Sequence, residues 1–280
     1  IWNGNGYSRT VGAAEWVHAE KMAGKRWATP HNLSSDQGVP DVLNTLEGAY
    51  LAGLYLGGGH IVRTAGRKKK SVILSVNDTK KAKILPALRR AWGTISDISH
   101  DRSVTRLQLS RTEVADTLAE NFKEYSHGKT IPVWALTADR DWQESLLQGV
   151  IDTDGSPVKN GWRVPTVSRT LAVGLRLLAT RLGYSTSLHF SARPETCVIE
   201  GRTVNQRDTW TVFMRKAERS SELRTDEHTW GLVRSATPAG DAQVYDITVE
   251  DDHSFICDGI VVHNCQDLSV AGKRKGLDGA

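Results

Sequence analysis

Three adjacent residues near the end of the chain, His263, Asn264 and Cys265, combine a base, an amide and a thiol. An asparagine amide can attack its own backbone carbonyl, close a succinimide ring and expel the amine of the next residue, which breaks the chain. A neighbouring imidazole that protonates the leaving nitrogen accelerates such a step by on the order of 100 to 10,000 fold. The thiol of Cys265 can accept an acyl group. The tripeptide therefore predicts self-cleavage of the chain after Asn264.

A second candidate for chemistry is Asp154, the eighth residue of LQGVIDTDG at 147 to 155. The apolar spacing predicts a helix that ends near this carboxylate. A carboxylate at the negative end of a helix dipole favours a hard divalent cation such as Mg²⁺. Asp154 is therefore a candidate metal ligand.

These groups must be positioned by the surrounding elements, which repeat once along the chain. Helical spacing begins at Leu46, the strands GHIVRT and KSVILSV follow, and DTKKAKILPALRRAW predicts a helix capped by Asp78 and kinked or restarted at Pro86. The order of helix, two strands, helix and strands begins again after GKTIPVWAL, with LAGLYLGGG at 51 to 59 and LQGVIDTDG at 147 to 155 in register. The repeat, about a hundred residues long, predicts two similar halves facing one another. Residues 1 to 40 predict short strands and turns.

Small residues lie four apart on one face of each marked helix, Gly53 with Gly57 and Gly149 with Thr153. Small residues at this spacing let two helix backbones pack closely. An alternative is a tight helix pair in an ordinary core, without any further role.

Composition sets broad limits on these interpretations. With 280 residues, 39% apolar and 24% charged, the chain predicts a globular protein of more than one domain. The net charge of +4 is compatible with a nucleic-acid partner and equally with a plain soluble protein. Three cysteines without metal-site spacing fit a reducing, cytoplasmic location. No apolar run approaches the roughly 20 residues of a membrane span, so we expect a soluble monomer.

The two marked segments resemble the signature helices of LAGLIDADG homing endonucleases, which each supply one acid at the eighth motif position to metals that cleave both DNA strands. Asp154 matches this acid, whereas the first copy has Gly58. Glu47, 11 residues upstream of Gly58, lies roughly 16 Å away along a helix and cannot substitute. The resemblance implies a Mg²⁺-dependent nuclease on double-stranded DNA with impaired double-strand cleavage. An acid restored by Gly58→Asp should raise cleavage.

The same resemblance implies a saddle of strands that holds DNA. Lys129 in GKTIPVW matches a lysine near the family's active site, where it would stabilise phosphate charge; the alternative is a solvated loop lysine. Cations on or beside the predicted strands would contact phosphates, although the RKKK run is also typical of an exposed turn. These cations are Arg63, Arg67, Lys68, Lys69, Lys70, Arg106 and Arg163.

The sequence VYDITVEDDHSFICDGIVVHNC resembles the last two blocks of inteins, which excise themselves by protein splicing and need no cofactor. The resemblance implies that Asn264 cyclises, that His263 and His253 assist proton transfer, and that Asp246 coordinates the steps. Cys265 takes the branched-ester role. EWVHAEKMAGKRWATP resembles the segment where an intein chain leaves its splicing domain for the endonuclease.

The fold class implied by these resemblances is α+β, with a β-rich splicing (Hint) domain interrupted by a pseudo-twofold αββαββα endonuclease domain. The expected segments are 1–40 and 220–264 for splicing, 41–219 for the endonuclease and 265–280 for the host. An intein's first nucleophile and its Thr-x-x-His block are not found before residue 46. We therefore expect a missing N-terminal segment as a partner, from an interrupted reading frame or a split system.

The host segment CQDLSVAGKRKGLDGA resembles the nucleophile motif of DNA cytosine-5 methyltransferases, in which the cysteine attacks a flipped cytosine. Cys265 would then serve first as splicing acceptor and afterwards as the methyltransferase nucleophile. Two alternatives stay open. One is a DNA-binding module in which Gly58 marks decayed catalysis, and the other is a working methyltransferase that carries an insertion.

Overall fold

The protein is α+β, with small antiparallel sheets, and divides into two compact units. Unit 1 comprises Ile1–Asn32 and Arg219–Ala280, and unit 2 comprises Leu33–Glu218. The computed structural model describes residues 13–63, 66, 68–101, 103–199, 201–216, 222–238, 240, 241, 243, 249 and 253–263. Across these ranges, no helix has the length and apolarity to cross a membrane.

The helices are α1 (Leu46–Gly58), α2 (Asp78–Trp92), α3 (Thr112–Phe122), α4 (Val133–Thr137), α5 (Arg140–Asp154) and α6 (Arg169–Arg181). The strands are β1 (Arg26–Pro30), β2 (Gly59–Arg63), β3 (Lys70–Asn77), β4 (Ser96–Asp101), β5 (Val104–Leu109), β6 (Ser156–Val158), β7 (Gly161–Thr166), β8 (Ser185–Ser191), β9 (Thr196–Ile199), β10 (Arg202–Asn205), β11 (Thr209–Arg215), β12 (Leu223–Arg224), β13 (His228–Leu232), β14 (Ser254–Cys257) and β15 (Ile260–His263).

Unit 2 contains the predicted repeat. Its two four-stranded antiparallel sheets have the orders β2-β3-β5-β4 and β6-β7-β11-β8. In each half a marked helix precedes the first two strands, a second helix follows them, and the last strand inserts beside the second. Helix α3 closes the first half, whereas the β9–β10 hairpin interrupts the second half before β11. The two halves therefore share one strand topology.

Helices α1 and α5 form the centre of unit 2 and meet backbone to backbone. A Cβ atom on Gly53 would lie 2.8 Å from the Cα of Gly149, and one on Gly149 would lie 2.9 Å from the Cα of Gly53. Real Cβ atoms do not approach other atoms this closely, so both crossing positions require glycine. At the end of the pair, the side chain of Thr153 fills the space that Gly57 leaves open. The predicted close packing of these helices is confirmed.

The segment before α1 belongs to unit 2. Leu43 is fully buried, Leu33 and Val39 pack against the core, and the indole N–H of Trp142 donates to the Leu43 carbonyl at 2.9 Å. The unit that holds the paired helices accordingly begins at Leu33, whereas the sequence suggested residue 41. These apolar residues lack the regular spacing of a helix or strand, so the sequence pattern does not reveal their burial.

Two details of α2 differ from the predictions. The N-cap is Asn77, whose side chain accepts from the Thr79 N–H at 3.0 Å, while Asp78 is the first helical residue. The helix also continues through Pro86 instead of restarting there. Pro86 cannot donate to the carbonyl of Ala82, but both residues are exposed, so water can bind that carbonyl.

Unit 1 contains the sheet β1-β13-β12 and the hairpin β14-β15. The hairpin turn is Asp258-Gly259, and both residues have positive φ (48° and 79°), as a two-residue hairpin turn requires. The hydroxyl of Thr29 on β1 donates to the Gly259 carbonyl at 2.8 Å. The short strands and turns predicted for this part of the sequence are present among its described residues.

Candidate functional site

Asp154 is the last residue of α5 and lines a cavity of about 270 Å³ together with Ser126, Lys129 and Thr166. Asp154 is exposed to solvent, although protein atoms lie close around its carboxyl group. Desolvation by this surrounding protein raises the pKa of the Asp154 carboxyl, and the ammonium groups of Lys129 and Lys80 oppose that shift. The carboxylate is therefore accessible and interacts electrostatically with two cations.

Lys129 is buried, with 4% of its surface exposed, and covers the end of α1. Its Nζ donates to the carbonyls of Tyr55 at 2.6 Å, Leu56 at 3.1 Å and Gly59 at 2.8 Å. Burial lowers the pKa of Lys129 to about 8, with an opposing contribution from Asp154. The alternative of a solvated loop lysine is wrong. A role on phosphate stays a prediction, because all three ammonium protons already have carbonyl acceptors.

Lys80, in the first turn of α2, occupies the equivalent place at the end of α5. Its Nζ donates to the carbonyls of Thr153 at 2.9 Å and Gly155 at 3.3 Å. Sequence reasoning missed this residue, because a lysine near the start of a helix has no distinctive spacing. It is recognisable only once α2 and α5 are seen to pack together.

Gly58, in the position of the absent acid, has no room for a side chain. A Cβ atom there would lie 2.5 Å from the backbone carbonyl oxygen of Ser75 on β3. The prediction that Gly58→Asp restores an acid conflicts with this contact, because the added carboxylate needs the end of α1 or β3 to move. The sequence shows that the acid is missing, but the closed space appears only in the structure.

The carboxylates near the helix ends do not form a two-metal site. Asp152 points elsewhere and accepts from the hydroxyl of Tyr50 at 2.8 Å and from Lys83 at 2.8 Å. Within the part of the chain that the structure describes, no group of three His, Cys, Asp or Glu side chains could hold a metal ion. Magnesium binds through several oxygen ligands in near-octahedral geometry. Asp154 alone is a poor fit, and the Mg²⁺ requirement stays a prediction.

Several of the predicted DNA-contacting cations are exposed. Arg106 lies on β5 opposite Ser75 and Ser99, on the sheet face away from the buried residues Leu107 and Leu109. Arg163 on β7, Lys68 and Lys69 between β2 and β3, and Arg63 at the end of β2 are exposed as well. Arg67 lies outside the described residues.

Arg63 and Lys70 do not share that face. They are opposite one another in the β2–β3 ladder, and residues two apart on a strand point the same way, so Lys70 shares the core-facing side of Val72. Arg63 donates to Glu124 at 2.9 Å, and Lys70 pairs with Asp116 on α3. Both lie on strands, as expected, but strand parity turns them toward α3, and a contact with DNA stays a prediction.

The two histidines predicted to assist cleavage come together in unit 1. The ring centroids of His253 and His263 are 6.1 Å apart, since His263 is opposite Ser254 in the β14–β15 ladder. Trp16 meets the His263 ring edge-on at 4.9 Å, a contact that no sequence spacing indicates. The other predicted splicing residues, Asp246, Asn264 and Cys265, lie outside the described residues.

Comparison with other proteins gives partial matches, and no family model matches the chain. An iron-sulfur cluster assembly SufBD family protein of Mycobacterium tuberculosis is 27% identical over 235 residues, which are 79% of this chain and 27% of that protein. The ATP-dependent DNA helicase Hel308 of Thermococcus kodakarensis is 27% identical over 62% of this chain and 17% of its own length. The homothallic switching endonuclease of Saccharomyces cerevisiae is 24% identical over 81% of this chain and 45% of its own length. The chain thus spans less than half the length of these relatives.

Among solved structures, the chain is similar to I-DmoI in complex with DNA and Ca, with 13% identity and a TM-score of 0.46 over 63% of this chain and 85% of that one. It is also similar to the I-LtrWI LAGLIDADG homing endonuclease bound to target DNA, with 12% identity and a TM-score of 0.33 over 61% and 79% of the two chains.

Proposed function

We propose that unit 2 is a DNA-binding unit of the LAGLIDADG type and that unit 1 belongs to a self-splicing element of the intein type. The observation that carries the first part is the helix pair, which meets through Gly53 and Gly149 and ends beside Asp154. An ordinary core helix pair does not need glycine at both crossing positions. The exposed Arg106 and Arg163 lie on sheets of the same strand order, as a two-half DNA surface requires.

DNA binding without double-strand cleavage is the more specific form of this proposal for unit 2. The observation that favours it is the closed space at Gly58, which leaves Asp154 as the single acid of the predicted pair. In-line phosphodiester hydrolysis by metals needs charge stabilisation at both the attacking and the leaving oxygen. Asp154 supplies one of the two acids of the predicted pair.

Two observations support the splicing proposal. His263 is the last residue of β15, directly before Asn264, and His253, directly before β14, lies beside it. The chain also matches a SufBD family protein and a helicase, named for unrelated activities, over only 27% and 17% of their lengths. An element that inserts into different host proteins is expected to match in this way. The residues from Cys265 onward would then belong to a host, for which the cytosine-5 methyltransferase motif is the proposal.

The proposed cleavage uses groups of this chain alone. The side-chain nitrogen of Asn264 attacks its own backbone carbonyl carbon, and the bond from that carbon to the nitrogen of Cys265 breaks. His263 gives a proton to the departing nitrogen, which becomes the free amine of Cys265. The attacking nitrogen releases one of its two protons, which restores the proton on the imidazole, and the asparagine becomes a succinimide. His253, beside His263, would hold the imidazole or polarise the carbonyl.

Mass spectrometry of the full chain tests this step. We expect slow loss of residues 265–280 from the wild type and no loss from Asn264→Ala. His263→Ala should slow the reaction by on the order of 100 fold or more, since it removes the general acid. A wild-type chain that stays intact, or an Asn264→Ala chain cut at the same place, would refute the mechanism.

Binding of a random-sequence DNA duplex at low salt tests unit 2. We expect Arg106→Ala and Arg163→Ala each to weaken binding and to reduce the salt dependence by about one phosphate contact. Arg63→Ala and Lys70→Ala are matched controls, because they remove the same charge from side chains turned toward α3. Equal losses in all four variants would indicate a general charge effect and contradict the proposed surface.

A further inference from the structure

The carbonyl groups at the ends of α1 and α5 are both occupied by lysine ammonium groups. Lys129 binds three carbonyls at the end of α1, and Lys80 binds two at the end of α5. The last carbonyls of a helix have no partners within the helix and carry the negative end of its dipole. The two lysines neutralise the negative ends of α1 and α5. In a nuclease with two acids, the acids and their metal ions would meet at these helix ends.

The remaining groups at this place do not favour a divalent cation. Among the described residues that line the cavity, Asp154 is the only acid, and its carboxylate already interacts with the charges of Lys129 and Lys80. A metal ion beside Asp154 would be repelled by both ammonium groups at short range. The matching position on α1, Gly58, lies against the Ser75 carbonyl and has no space for a second carboxylate.

We propose that Lys80 and Lys129 are the resident cations of the helix-pair ends and exclude divalent metal from Asp154, so that unit 2 binds DNA without a metal ion. The part about DNA rests on the proposed function of unit 2. The part about metal rests on the hydrogen bonds of the two lysines and on the single carboxylate. The exclusion of metal is a property of the free protein and is tested without DNA.

Titration of the full chain with Mn²⁺, followed by the electron paramagnetic resonance signal of the free ion, tests the exclusion. We expect no Mn²⁺ site with a Kd tighter than about 1 mM in the wild type. Lys80→Met removes the partly exposed ammonium and frees the carbonyls of Thr153 and Gly155 on either side of Asp154. These oxygens and the carboxylate should create one Mn²⁺ site, which the double variant Lys80→Met/Asp154→Asn loses again. A folded Lys129→Met chain should gain a Mn²⁺ site as well. Because this substitution leaves three buried carbonyls unpaired, the Lys80→Met variant is the decisive test of metal exclusion.

A wild-type site tighter than about 1 mM that Asp154→Asn abolishes would overturn the proposal. A folded Lys80→Met chain without any Mn²⁺ site would overturn it as well.

DNA affinity is then measured in the presence of Mg²⁺ and in the presence of a chelator at matched ionic strength, and we expect the two affinities to be equal. A tenfold or greater gain with Mg²⁺ that Asp154→Asn removes would contradict metal-free binding. Absence of DNA binding in both buffers would refute the proposed function of unit 2. The Mn²⁺ titration would still test whether Lys80 and Lys129 exclude divalent metal from Asp154.

Discussion

Helices α1 and α5 have the same packing but different chemistry. Both cross at a glycine, and both end at a lysine ammonium, yet α1 ends in three glycines where α5 ends in Thr153, Asp154 and Gly155. Thr153 fills the space beside Gly57, and its hydroxyl donates to the Gly149 and Val150 carbonyls at 3.1 and 3.0 Å. The difference teaches that helix pairing does not need a carboxylate at the end of α1. Packing restricts the crossing positions, and at position 58 the Ser75 carbonyl leaves no space for a side chain.

The surroundings of the two helices differ as well. Helix α1 is buried on nearly every side, from Gly48 to Leu56. Helix α5 has a polar side, where Gln148 and Lys83 bind Asp152. An unpaired carboxylate would therefore cost more free energy on α1, the more buried helix, than on α5.

The largest effect is expected from substitutions at the helix crossing. Gly53→Ala places a methyl group against the backbone of α5, near Gly149, so the helices must separate. We expect the free energy of unfolding to fall by about 3 kcal/mol or more, at or above the upper end for overpacking. Denaturant unfolding measures the loss. Gly38→Ala is the control, because a Cβ atom there meets nothing within 4 Å. Equal stability of the two variants would show that the helices do not touch as described.

A smaller loss is expected from Gly58→Asp, which probes the chemical difference between the helices directly. The Cβ atom approaches the Ser75 carbonyl at 2.5 Å, and we expect a loss of about 1–3 kcal/mol without a gain in DNA cleavage. Gly58→Ala is the matched control, because it adds the same Cβ atom without the charge. If Gly58→Asp is as stable as the wild type and cleaves duplex DNA with Mg²⁺, the first half of the site is intact apart from the missing acid.

Much of unit 2 could be predicted from the sequence, because its patterns are local. Apolar spacing located α1 and α5, and the repeated order of elements indicated two similar halves. The closely packed pair followed from Gly53 and Gly149. The burial of Leu43 could not be predicted, since it depends on Trp142 about a hundred residues later in the chain.

The candidate site was less predictable, because charge alone does not reveal where a side chain points. Arg63 and Arg106 look alike as cations on strands, but the ladder register turns Arg63 toward Glu124 and leaves Arg106 on the opposite face. Lys129 follows a recognisable motif, yet its burial against three carbonyls depends on the folded position of α1. Strand parity and long-range hydrogen bonds are properties of the fold, and short sequence windows do not contain them.

The second helices of the two halves begin differently, which extends the comparison from α1 and α5 to α2 and α6. Asp78, in the first turn of α2, accepts from the Thr105 hydroxyl at 2.6 Å and from His100 at 2.6 Å. Helix α6 begins at Arg169 and is capped by the neutral Ser168, whose hydroxyl accepts from the Leu171 N–H at 3.2 Å. Only the first half therefore carries a carboxylate at this point.

The smallest effect is an acid sensitivity confined to the first half. The hydrogen bond from Thr105, assisted by His100, holds the pKa of Asp78 below its ordinary value of 3.8. A carboxyl group whose pKa is lowered by folding stabilises the protein at pH values above its unfolded-state pKa. This contribution is lost as the pH falls through 3.8 toward the lower pKa of the folded state. We expect the Tm of the wild type to drop more between about pH 5 and about pH 3 than that of Asp78→Asn. Ser168→Ala, which removes the α6 cap without a titrating group, should lower the Tm equally at both pH values. Parallel pH profiles for wild type and Asp78→Asn would mean that the charge of Asp78 does not stabilise the first half.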